Sequence, residues 1–202
     1  DPGATQAAGA VDLEGDWLLP GLVELHTDNL ERLFSPRPGV RWPADAAMLT
    51  HDAQVVAAGI TTVCDAVCVG FHGGKSERLD YLNLSIDVLR RARAAGALKA
   101  EHLLHLRLEI ADPNMLELFE PLMAEPSLRL VSLMDHTPGQ RQWTDIEHAR
   151  VYYTGKKGWS QEKFERQVAH AHVLQAEYAR PHRQYFVDYC RAHGTALASH
   201  VG

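Results

Sequence analysis

Five short apolar runs, each separated from the next by a helical stretch, constrain this chain more than any other feature. They read "LLPGLVELH" (18–26), "GITTVCDAV" (59–67), "LLHLRLEI" (103–110), "LRLVSLMD" (128–135) and "TALASH" (195–200). Each is nearly continuous in apolar, often β-branched residues, the pattern of parallel strands covered on both faces. Helices are predicted over 44–58, ending at Gly59, over 81–96, ending at Gly96, and over 114–124. A further helix is predicted over 160–179, with Ser160 as its N-cap, and Pro181 is expected to break it before another helix over 183–194. Strand alternating with helix predicts an α/β fold with a parallel sheet. Two long loops, 29–43 and 136–159, follow strands one and four, where such folds carry function.

Composition narrows the function classes. Of the 202 residues, 46% are hydrophobic and 23% charged, as in a globular protein with a real core. The net charge of -6 and the absence of a basic run argue against nucleic acid as a partner. No apolar stretch approaches the roughly 20 residues that span a bilayer, so no membrane role is expected. The start "DPGATQAAGAVD" lacks a signal-peptide pattern. Three cysteines do not suggest a disulfide framework, and a reducing, cytoplasmic setting is expected. Cys64 and Cys68, inside "TTVCDAVCVG", read as buried small hydrophobes rather than a metal pair.

Chemistry concentrates at the strand ends. His26 and Asp28 close the first run; residues i and i+2 of a strand share a face, so the two can converge. Alone, H-x-D is a weak signal. Glu109 ends the third run, Asp135 and His136 the fourth, and His200 the fifth. In a parallel barrel these ends meet at one mouth, and clustered charges there call for a cation. Imidazole and carboxylate suit zinc, manganese or iron. The candidate metal ligands at these ends are His26, Asp28, Glu109, His136 and His200, with Asp135 beside them as a further ligand, as a partner that orients an imidazole, or pointing away. Glu109 suits a ligand bridging two ions. Basic and amide groups in the two long loops, Arg37, Gln140 and Arg141, suit an anion; Lys156 and Lys157 read equally well as solvated surface. His51 and Asp52 read as either a helix cap or a partner to the site, and His102 and His105 as ordinary strand residues.

The strings "LLPGLVELHTDNLE", "SPRPGVRWP", "HDAQVVAAGITTVCDAV", "LRLVSLMDHTPGQRQ", "YYTGKKG" and "ALASH" together resemble the PhnM family, a branch of the amidohydrolase superfamily. The resemblance runs over nearly the whole chain. It implies a distorted (β/α)8, TIM-like barrel with a metal centre of one or two divalent ions, zinc first, with manganese, iron or magnesium as alternatives. It implies hydrolysis of α-D-ribose 1-methylphosphonate 5-triphosphate to the 5-phosphate and pyrophosphate, in the carbon–phosphorus lyase pathway of phosphonate breakdown. Asn29, Arg37, Gln140, Arg141 and Lys156 are the candidates for holding that phosphorylated ribose. Five strands are recognisable where the resemblance implies eight, so the barrel (18–202) is expected to be incomplete here. Residues 1–17 are expected to be a remnant of a small β-sandwich, and the general-base aspartate to lie beyond residue 202. A homo-oligomer is also an expectation. The alternatives are a deacetylase, amidase or deaminase of the same superfamily, or a non-catalytic truncated barrel serving as a binding subunit.

Overall fold

Parallel strands laid down in chain order build the framework. A computed structural model describes residues 9–37, 39–70, 77–140, 144–156 and 158–199, with side chains omitted at 77 and 78. Its sheet has the order β1-β2-β3-β4-β5, with β1 at Leu22–Thr27, β2 at Ile60–Val69, β3 at Glu101–Glu109, β4 at Leu128–Met134 and β5 at Ala196–Ser199. All four neighbouring pairs are parallel. The sheet curls into a half-barrel. Residues 10–21 before β1 form no strand, and Trp17, Leu18 and Leu19 are exposed.

Register decides what each strand offers to which side, because neighbours in a parallel pair share a face. Val67 pairs with Leu106 and Val69 with Leu108, while Leu106 pairs with Val131 and Leu108 with Leu133. This face packs on the helices in the main core with Phe119, Phe186 and Tyr189. The Phe119 ring meets each of the other two edge to face, 5.0 Å between centroids. On the opposite, concave face, Ala66 pairs with His105, Cys68 with Arg107, and Arg107 with Ser132.

The helices are α1 (Asn29–Phe34), α2 (Ala44–Ala57), α3 (Glu77–Ala94), α4 (Met115–Phe119), α5 (Ile146–Val151), α6 (Gln161–Leu174) and α7 (Arg180–His193). Leu30 and Phe34 of α1 join Met48 of α2 and Leu89 of α3 in a second core. Ser160 caps α6 as expected, its side chain accepting from the Lys163 N–H. Gly194 ends α7 at φ 64, a left-handed position natural to glycine.

Two expectations are corrected. The long loops are not structureless: α1 lies in the first and α5 in the second, followed by a π-helical turn at Tyr152–Lys156. These segments are too short to show a helical apolar period. Pro181 does not break the helix either. The chain runs from α6 into α7 through a π-helical turn at Gln175–Ala179, and Pro181 occupies the start of α7. The π-turn just before Pro181 changes the hydrogen-bond pattern where a residue without an N–H must be accommodated.

Candidate functional site

The carboxyl end of β1 delivers the first pair. His26 Nε2 lies 3.6 Å from Asp28 Oδ2, so the i, i+2 pair converges even though Asp28 has left the strand to precede α1. Asp28 is fixed from across the sheet: Arg107 Nη1 of β3 donates to its Oδ1 at 2.8 Å. The His26 ring meets the His105 ring edge on, 5.2 Å between centroids.

The second pair joins β3 to the loop after β4. Glu109, buried at the tip of β3, accepts from the His136 backbone N–H at 3.0 Å and from its ring Nδ1. Nδ1, facing a carboxylate, therefore carries a proton, and in the neutral ring Nε2 is the lone-pair nitrogen. A carboxylate that fixes ring and tautomer in this way commonly accompanies a metal-ligating histidine. Glu109, expected as a ligand bridging two ions, is hydrogen-bonded to His136 in the structure. Asp135, the other candidate for orienting the ring, turns towards the helices, accepting from Thr137 N–H at 3.1 Å and Gln175 Nε2 at 2.7 Å. Burial alone would raise the Asp135 carboxyl, but hydrogen bonds from Gln175 and Thr137 outweigh it and hold the group below its usual range.

Between the pairs runs a polar stripe that the sequence reading missed. His105, Arg107 and Glu109 alternate along β3 on the concave face. His105 Nδ1 donates to the Leu25 carbonyl at 3.0 Å, and its Nε2 accepts from Ser132 Oγ at 2.8 Å, so one neutral ring ties β1, β3 and β4 together. Burial first, then the neighbouring His26, push His105 down to about 4. Arg107 Nε is buried and meets no acceptor among the described residues. The available signal was the period-two placement of His, Arg and Glu in "LLHLRLEI".

The helix face holds a second polar system. His51 Nε2 and Asp65 Oδ1 are 2.6 Å apart, and His102 Nδ1 and Asp65 Oδ2 2.8 Å. His102 Nε2 reaches Asp52 Oδ1 at 3.2 Å, and Asp52 also accepts from the backbone of Lys99 and Ala100. His51 Nδ1 accepts from Asn29 Nδ2 at 3.1 Å. The ligand atoms of His51, Asp65 and His102 lie within 4.8 Å of one another and could hold a metal ion. Protons satisfy the same atoms: His51 donates to Asp65, and His102 faces carboxylates through both nitrogens. Burial works against the charged His102, but Asp65 and then Asp52 outweigh it and raise its pKa. Asp65 is lowered: desolvation opposes this, and the hydrogen bonds from His102 and His51 win.

A cavity of about 540 Å³ takes Asp28, Arg107 and His136 into one wall, with Arg32 and Tyr81. A neighbouring cavity of about 500 Å³ beside β1 contains His26, Asp28 and Asn29. Among the described residues, His26, Asp28, Glu109 and His136 form two pairs rather than one group of three or more ligand atoms within 4.8 Å. The donor set, two imidazoles and two carboxylates, nevertheless suits a divalent ion. His200 and Arg141 lie outside the described residues, as does Lys157. Asn29 gives its amide to His51 and Gln54. Arg37 is exposed in a small bridge with Val40, and Lys156 sits over the Tyr152 ring. Gln140 is half-buried, and its side-chain amide helps to hold the Asp135 carboxyl down. Cys64 is buried as expected, whereas Cys68 reaches the wall of the larger cavity.

The decisive comparison is with a known protein. The chain is similar to a diphosphatase. It is 47% identical over 191 residues to the alpha-D-ribose 1-methylphosphonate 5-triphosphate diphosphatase of Escherichia coli (strain K12). The match covers 95% of this chain and 50% of that protein, so the chain spans about half the length of its relative. No family profile matches the chain, and no solved structure matches it. Among the described residues, no helix is long and apolar enough to cross a membrane.

Proposed function

We propose that the chain belongs to the PhnM-type, amidohydrolase-like diphosphatases. In this reading it takes part in hydrolysing α-D-ribose 1-methylphosphonate 5-triphosphate to the 5-phosphate and pyrophosphate, in a cytoplasmic phosphonate pathway. The observation that carries the reading is the cavity that Asp28 from the β1 end and His136 from the β4 end share, in a chain so similar to an enzyme named for this reaction.

His26, Asp28 and His136, together with His200, are proposed to hold a divalent ion, zinc first by its nitrogen and oxygen donors. When bound, such an ion neutralises charge on phosphoryl oxygens and lowers the pKa of a water. The protein's own contribution is placement. Glu109 keeps the His136 ring in one orientation and one tautomer. Arg107 holds Asp28 beside His26. His105 clamps the three strands on which these groups stand, which keeps the pairs from drifting apart. Gln140 and Arg141 follow His136 in sequence and are proposed to meet the substrate from that loop.

The test is release of pyrophosphate from the ribose triphosphate by the full-length protein, with and without a chelator. Release that stops with chelator and returns with zinc or manganese is expected. No release by metal-loaded protein, or release indifferent to chelator, would sink the reading.

A further inference from the structure

Arg107 stands two residues before Glu109 on β3, and its side chain is only 12% exposed. A guanidinium presents five N–H donors in a planar fork that matches phosphate oxygens. One donor is committed to Asp28, while Nε is buried and meets no acceptor among the described residues. Nε is shut off from solvent, so the donors that a ligand's oxygens can meet are the Nη groups where Arg107 lines the cavity. The cavity that Arg107 walls, about 540 Å³, is of the size that takes a small phosphorylated sugar. Arg32 lines it as well, together with the carboxylates Asp28 and Glu31. Two cations and two anions leave these walls neutral, so an anion would enter best with a divalent ion alongside.

We infer that Arg107 is a phosphoryl-binding residue: its guanidinium takes oxygens of the triphosphate while Nη1 keeps Asp28 in place. The inference deepens the diphosphatase reading and rests on it for the nature of the phosphoryl group. A residue that served only as a strut for Asp28 would behave differently. If Arg107 were a strut alone, restoring the lost metal would restore the anion; if it also anchors phosphoryl oxygens, the anion stays weak at full metal content.

The experiment uses the full-length protein, metal-loaded, with inorganic tripolyphosphate as the probe in calorimetry and metal content measured alongside. Arg107→Gln is expected to weaken tripolyphosphate at least about tenfold even after its metal content has been brought back to the parent's. Arg107→Lys, which keeps the charge and loses the fork, is expected to fall between, and it decides the matter should the glutamine variant fail to fold. Affinity equal to the parent's in the lysine variant, or in a folded glutamine variant, overturns the inference. So does a loss of metal whose replenishment restores full affinity. A parent protein that binds tripolyphosphate through Arg107 yet releases no pyrophosphate from the ribose triphosphate sinks the diphosphatase reading and leaves this subsite standing. Release in the parent with unaltered binding in the variants sinks the subsite alone.

Discussion

Glu109 and His136, 27 positions apart, are joined twice: the carboxylate accepts both the backbone N–H and the ring Nδ1 of the histidine. One residue thus sets where the loop after β4 begins and how its imidazole faces the cavity.

Replacing that carboxylate should therefore act through His136. Glu109→Ala is expected to reduce metal affinity by roughly 10- to 100-fold, the usual effect of losing a group that orients a ligand. Glu109→Gln, which can still accept at one oxygen, should lose less. Metal content after dialysis against a graded chelator checks both.

The buried His102 makes stability depend on pH. Its folded pKa is raised by Asp65 and Asp52. Its contribution is then complete below the unfolded value of about 6.5 and is lost as pH rises through the folded value. Asp65 is lowered, so its contribution is present above the unfolded value of about 3.9 and is lost as pH falls through the folded one. The joint contribution of His102 and Asp65 to the denaturant midpoint should be flat between these limits. His102→Gln should remove the alkaline decline and cost about 3–5 kcal/mol, because it leaves two buried carboxylates without their cation.

His105 should leave the opposite mark. Held down to about 4, it stays neutral in the folded chain while the unfolded chain takes up a proton near 6.5. Stability should therefore fall as pH drops from about 6.5 to about 4, by roughly 3 kcal/mol at most. Acid unfolding of a His105→Asn variant should show a shallower slope in that window.

Gly70 should resist replacement. It lies just beyond β2 at φ +88, and a Cβ there would stand 2.4 Å from Met115 Cε, 3.1 Å from Glu109 Cβ and 3.2 Å from Asp112 Cβ. Gly70→Ala combines left-handed strain with crowding against Glu109, and a loss of about 2 kcal/mol or more in thermal unfolding is expected.

Much of the architecture was written locally. Strand and helix periods are properties of short segments, so the order of five strands and the main helices could be read directly, as could the converging His26 and Asp28. Where a segment was too short to display a period, as in α1 and α5, or where a π-turn absorbed a proline, local reading failed.

The chain by itself determined which residue types stand at the strand ends; tertiary structure alone decided what each of them faces. Glu109 meets His136, Asn29 turns to His51, and Asp135 reaches Gln175 because parallel register and helix packing bring distant segments together. The His51–Asp65–His102 network spans three separate elements for the same reason. A strand's sequence repeats every two residues whatever its neighbours are, so it specifies a face but not the partner across from it.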